Sequence, residues 1–154
     1  AEVWGLAGTI AMVALGGGSL QVRVGYTRLA TEILAVDQSG SAPPPFVVGD
    51  RLVRRPDHQF SADVLLSGGR LSAFFQGGAR SSVRDVDPSF GTFGGLYDAP
   101  GYNVWNAGAS WTLWSRLQLF GRVTNLFDRD YAESLGYPAL GRSAMVGLRV
   151  ATSR

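Results

Sequence analysis

The sequence predicts an all-β chain: an antiparallel transmembrane β-barrel meander of about seven strands. Three observations lead there. Apolar residues alternate with small or polar ones in segment after segment, most clearly where Leu20, Val22, Val24 and Tyr26 interleave with Gln21, Arg23, Gly25 and Thr27; that period of two belongs to strands. The connections run short, long, short, long, short, medium, at residues 15–18, about 31–57, 68–69, about 82–101, 114–116 and 128–142. Barrels that cross an outer membrane have this asymmetry, whereas a soluble sandwich has no reason for it. Finally, 21 glycines and an aromatic content of 11 % suit a turn-rich β protein better than a helical one.

Composition removes several function classes. With 154 residues the chain has room for one ordinary domain. No cysteine is present, so disulfides and thiolate metal sites are excluded. All 14 basic residues are arginines, but they are scattered among 12 acids and are not interleaved with aromatics on one face, which argues against nucleic acid. No apolar run approaches the roughly 18 residues of a membrane-spanning helix, while barrel strands need only about 9–11. Residue 1 is alanine with no signal peptide before it, so an exported chain would be expected here as a mature fragment or as an incomplete sequence.

In order, Val3 to Ala14 reads as a strand with Trp4, Leu6, Ile10 and Met12 on one face, and Gly16-Gly17-Gly18 turns the chain. The second strand follows from Leu20. Leu29 to Val36 fits either a strand end or a helical turn, and Asp37 to Asp50 is loop, with Pro43-Pro44-Pro45 inside it. Phe60, Ala62, Val64 and Leu66 mark the third strand, and Gly68-Gly69 turns into a fourth with Leu71, Ala73, Phe75, Gly77 and Ala79 on its apolar side. Ser82 to Gly101 reads as a second long polar loop. Trp105, Ala107, Ala109, Trp111 and Leu113 mark the fifth strand, Leu117, Leu119, Gly121 and Val123 the sixth, and Ala144, Val146, Leu148 and Val150 the seventh. Trp4, Tyr26, Tyr102, Trp105, Trp111 and Trp114 fall near strand ends, where interfacial girdles would place them.

Few residues invite catalysis. His58 is the only histidine, and no Gly-x-Ser-x-Gly elbow offers it a nucleophile, which favours a histidine at the membrane rim. Asp85, Asp87 and Asp98 could ligate a hard cation, but the closing glutamate of a calcium loop is missing, which favours a solvated loop. No glycine-rich loop precedes a helix, so phosphate cradling is unsupported. Arg23, Arg70, Arg80, Arg122 and Arg142 fall on the polar face, where they could line a lumen, pair with acids packed inside it, or contact anionic substrate groups.

Asn125-Leu126-Phe127-Asp128, Tyr131, Gly136-Tyr137 and Gly141-Arg142 follow one another at fixed spacing near the C-terminus. In this the chain resembles the C-terminal end of TonB-dependent outer-membrane receptors, particularly the cobalamin- and siderophore-receptor branch. The resemblance implies a barrel of about 22 strands around a plug domain, of which residues 1–154 would supply the last seven strands or so, without the plug. It implies uptake of a scarce metal chelate in the bacterial outer membrane, with outer loops at residues 37–50 and 84–101 capturing substrate. The expected partners are TonB, acting through the missing N-terminal part, outer-membrane lipid and lipopolysaccharide, the barrel-assembly machinery and the chelate itself. No cofactor, catalytic residue or metal ligand is implied. The motif is expected to reverse the chain at the outer rim, with Asp128 accepting a turn hydrogen bond and Tyr131 anchored in an interfacial belt. The family usually ends on an aromatic residue, whereas here the last strand stops at Val150 before Ala-Thr-Ser-Arg. Two other readings are an outer-membrane barrel enzyme of lipase or protease type built around His58, and a small closed structural barrel of eight strands.

Overall fold

The computed structural model describes residues 2–14, 17–37, 39, 45–87, 89 and 95–151, with residues 2–4, 7 and 9–14 described through the backbone alone. Within them the chain forms β1 (Glu2–Ala14), β2 (Gly18–Ala30), β3 (His58–Gly68), β4 (Leu71–Arg80), β5 (Val83–Val86), β6 (Leu96–Ala99), β7 (Tyr102–Trp114), β8 (Leu117–Thr124), β9 (Ala132–Ser134), β10 (Tyr137–Pro138) and β11 (Ser143–Val150). One seven-stranded antiparallel sheet runs β1-β2-β3-β4-β7-β8-β11, each strand beside the next long strand of the chain. The sheet is an open meander, with β1 and β11 as its edges. The strands of 10–13 residues in this sheet are long enough at about 3.3 Å per residue to cross a hydrocarbon layer at a tilt.

The register holds the two faces in phase from edge to edge. Val22 faces Ile10 and Val64, Val64 faces Phe75, Phe75 faces Ala107, Ala107 faces Val123, and Val123 faces Ala144. The neighbouring row is polar: Thr9, Arg23, Asp63, Gln76 and Asn106 stand opposite one another across five strands. Because side chains alternate with period two, each ladder keeps the two faces of neighbouring strands in step.

That apolar side has nothing over it. Among the described residues only Val83 and Ala99 are buried hydrophobics, while Leu6, Trp111, Val146 and Leu148 are 56–75 % exposed. A contiguous apolar surface of this extent marks contact with a membrane or partner. For a single-layer sheet with a wet opposite face, lipid is the solvent that completes it. On this side the Trp105 ring stacks on Phe75 at 5.1 Å and lies over Gly77, whose missing Cβ leaves room for it. On the polar side, Phe74 covers Gly108 and Phe120 covers Gly147 in the same way.

The segmentation follows the sequence reading closely, with two differences and one ambiguity settled. The 82–101 stretch is not all loop: β5 and β6 pair as a hairpin standing off the main sheet. The 128–142 connection carries the small β9–β10 pair. Leu29 to Val36 resolves as the end of β2 followed by extended chain, in which the Ile33 N–H donates to Asp50 O at 2.8 Å and Ile33 O accepts from Gly49 N–H at 2.9 Å. The short turns use glycine where φ is positive, at Gly17 and Gly69. Part of the Gly16-Gly17-Gly18 turn and of the 37–50 and 82–101 loops lies outside the described residues.

Candidate functional site

The short turns lie at one end of the sheet and all elaboration lies at the other, so the polar face and the built-up end together form the candidate site. Small residues come first. Gly25, Ser61 and Gly78 stand opposite one another in β2, β3 and β4, with Val104 beside them in β7. This row leaves a hollow of about 430 Å³ above the sheet. The next row outward, Thr27, Gln59, Arg80 and Tyr102, walls it, and Tyr131 and Glu133 from the β8–β11 connection overhang it. The Arg80 guanidinium sits 4.4 Å over the Tyr102 ring and donates to Ser81 O at 3.2 Å, while the Tyr131 ring centres 4.5 Å from that of Tyr102. Burial, and after it Glu133, holds the Tyr131 hydroxyl above the usual phenol range, so it is a neutral donor at pH 7.

Two features of this arrangement differ from expectation. The sequence pattern places Tyr102 and Tyr131 in interfacial aromatic belts, but Tyr102 stands in register with Arg80 on the polar face and Tyr131 packs against it. Arg70 lies in the turn between β3 and β4 rather than along a strand. Arg23 and Arg122 do lie on the polar face, opposite Asp63 and Met145 respectively. Toward the short-turn end that face changes character. Ser19, Ser67, Ser72 and Ser110 form one row, with Oγ contacts of 2.8 Å (Ser19–Ser67) and 3.0 Å (Ser72–Ser110), and Gln118 donates to Ser110.

Beyond the hollow, arginines knit two loops together. Arg51 donates to Asp57 at 3.1 Å and to Asp98 at 2.9 Å; Arg84 donates to Asp50 at 3.2 Å; and Arg54 Nε donates to Asp85 at 2.7 Å. The Arg54 N–H also donates to Arg84 O, with Arg54 held at φ 58°. These contacts join residues 50–57 to the β5–β6 hairpin. Asp98 is held below the usual carboxylate range by its hydrogen bond to Arg51 and further by Arg84. Asp85 and Asp98, weighed as cation ligands from sequence, are therefore engaged by arginines, and Asp87 accepts from Ser89. Sequence reasoning missed this clasp, since nothing along the chain pairs residue 51 with residue 98.

The C-terminal motif builds a hub. Asn125, 4 % exposed and at φ 50°, accepts the Arg129 N–H on Oδ1 at 2.9 Å and donates through Nδ2 to Arg129 O and Leu140 O at 2.9 and 3.3 Å. Its own N–H donates to Asn106 Oδ1 at 3.0 Å, and Leu126 N–H donates to Trp105 O. Asp128, at φ 53°, accepts the Arg142 N–H at 2.7 Å, and a Cβ on Gly141 would come within 3.2 Å of Asp128 Oδ1. Asn and Asp tolerate positive φ better than other side chains, which suits both positions. Gly136, at φ 81°, turns β9 into β10, where Tyr137 pairs with Ser134. Phe127 and Tyr137 are both exposed. His58 stacks on Tyr26 and shares a 2.8 Å hydrogen bond with its hydroxyl, on the apolar face at the end of β3.

A family model described as TonB dependent receptor-like, beta-barrel matches residues 1–126. The match spans β1 to β8 and stops at Leu126, so it rests on the strands and long loops, and the motif from Phe127 to Arg142 adds nothing to it. The match covers most of the chain, and the chain therefore belongs to the TonB-dependent receptor β-barrel family, outer-membrane proteins of bacteria that serve TonB-dependent transport.

Proposed function

We propose that residues 1–154 form the C-terminal part of a receptor barrel, its plug supplied by other residues, that imports a scarce metal chelate, either an iron–siderophore or cobalamin. The observation that carries this reading is the one-sided build-up of the sheet. Short turns close one end, while the clasped loops, the β9–β10 connection and a polar hollow occupy the other. In an outer-membrane barrel the long connections face the outside. On this reading residues 37–50 and 84–101 take part in substrate capture, and Arg23, Arg80 and Arg122 line the path inward, with Arg70 at its inner end. TonB acts through the plug, lipopolysaccharide meets the apolar face, and the assembly machinery handles the barrel during insertion.

The uptake of labelled ferric siderophores and of cyanocobalamin, compared between cells with and without the gene and with and without TonB, tests the proposal. Loss of one class of chelate on gene deletion, reproduced by loss of TonB, is expected. Unchanged uptake of every chelate in the deletion strain would defeat it.

A further inference from the structure

The hollow over Gly25, Ser61 and Gly78 is furnished unevenly. Its walls carry one cation, Arg80, one carboxylate, Glu133, two phenol rings and two neutral hydrogen-bonding side chains, Thr27 and Gln59. The arginines of the neighbouring clasp, Arg51, Arg54 and Arg84, each face an aspartate within 4 Å. Among the described residues Arg80 has no such partner, nor has Glu133. The Arg80 guanidinium carbon instead sits 4.4 Å over the Tyr102 ring, a contact that orients it without neutralising it. An oriented guanidinium with free donors beside paired rings suits a planar anion, because the fork matches a carboxylate and the rings match a flat π face. The space, at about 430 Å³ and bordered by a further hollow of about 490 Å³ that shares Gln59, Arg80, Tyr102 and Glu133, lies in the range of small-molecule sites.

We infer that this hollow is a binding subsite for a flat, ring-bearing organic anion. The anionic group engages Arg80, the ring lies against Tyr102 and Tyr131, and Glu133 accepts from a hydroxyl or amine elsewhere on the ligand. The inference deepens the uptake reading, on which it rests for its biological meaning, by assigning one part of the substrate to one part of the wall. Arg80 sets the charge preference and Tyr131 the preference for a flat ring.

The test is calorimetric titration of the intact receptor in lipid vesicles with three fragments: benzoate, its neutral counterpart benzamide, and cyclohexanecarboxylate, an anion without a flat ring. Benzoate should saturate and bind about tenfold more tightly than either of the others, a difference of about 1.4 kcal/mol. Arg80→Gln should abolish the margin over benzamide, Arg80→Lys should restore part of it, and Tyr131→Leu should abolish the margin over cyclohexanecarboxylate while keeping that over benzamide. Arg116→Gln, in the β7–β8 turn at the opposite end, should leave all three affinities unchanged. The inference is overturned if benzoate fails to saturate, if it binds no better than benzamide, or if Arg116→Gln weakens it as much as Arg80→Gln. Heat-shift electrophoresis of each variant verifies that the barrel has formed. Since fragment binding needs neither TonB nor uptake, failed uptake with these preferences intact sinks the transport reading alone, while normal uptake without them sinks the subsite alone.

Discussion

Replacing Asn125 by alanine should open the connection between β8 and β11. The side chain makes three hydrogen bonds, two through Nδ2 and one through Oδ1, in a position only 4 % exposed. At about 0.5–1.5 kcal/mol for each bond, and about 1 kcal/mol for forcing alanine to the positive φ that asparagine tolerates, the loss is about 3–4 kcal/mol. Asn125→Gly relieves the backbone but restores no bond, so it should lose about 1 kcal/mol less. Asn125→Asp keeps Oδ1 and the backbone preference, yet turns a carboxylate toward two carbonyl oxygens and should be no better than alanine. Hydrogen exchange at the Arg129 amide, bonded directly to Asn125 Oδ1, reads the effect. A loss of about 3–4 kcal/mol is a fall in protection of some hundred- to thousandfold. If glycine proved as well protected as asparagine, backbone conformation alone would explain the residue and the hydrogen-bond account would be refuted.

Arg84→Gln should release the β5–β6 hairpin from residues 50–57, seen as a few-fold rise in exchange at the Arg54 amide with the main sheet unaffected, since only exposed and half-exposed ion pairs are lost. The clasp should also respond to acid. Asp98 has its folded pKa lowered by Arg51 and then Arg84, so its contribution is complete above the ordinary carboxylate pKa of 3.8 and fades as the pH falls through the lower folded value; the distance between spin labels attached to the two loops should stay constant between pH 7 and 5 and lengthen only as the pH falls below 3.8. Gly108→Val should impair barrel formation on heat-shift gels, because its side chain would strike the Phe74 ring, at a cost of about 1–3 kcal/mol. Cysteines introduced at Val22, Val64 and Trp105 should resist aqueous thiol reagents in membranes, whereas those at Arg23, Asp63 and Asn106 should react.

Alternation made the seven long strands legible because each has a wet and a dry side, and one residue type per side suffices to show it. Leu20 to Tyr26 announces its strand through local composition alone, and the facing rows in β3 and β4 need only the same phase. The β5–β6 hairpin was hidden because four-residue strands show too few repeats of the pattern, and Pro88, with four glycines from Gly91 to Gly101, reads more strongly as loop. The face of Tyr102 was misjudged for a different reason. An aromatic at a strand end is chemically suited to a membrane interface, and only its pairing with Arg80 shows that it points to the wet side. The clasp and the hollow depend on contacts between residues about 30 to 50 positions apart, such as Arg51 with Asp98 or Tyr102 with Tyr131, for which a single sequence carries no signal. The Asn125 and Asp128 turns lay between these extremes, since their tolerance of positive φ was a usable hint.

Keeping Thr9, Arg23, Asp63, Gln76 and Asn106 in one line gives assembly a form of proofreading. Were any ladder to shift by a single residue, the whole polar set of the strand would be turned toward hydrocarbon, and one arginine at mid-depth alone costs about 2–4 kcal/mol. A slipped register is thus penalised on both faces of the sheet at once.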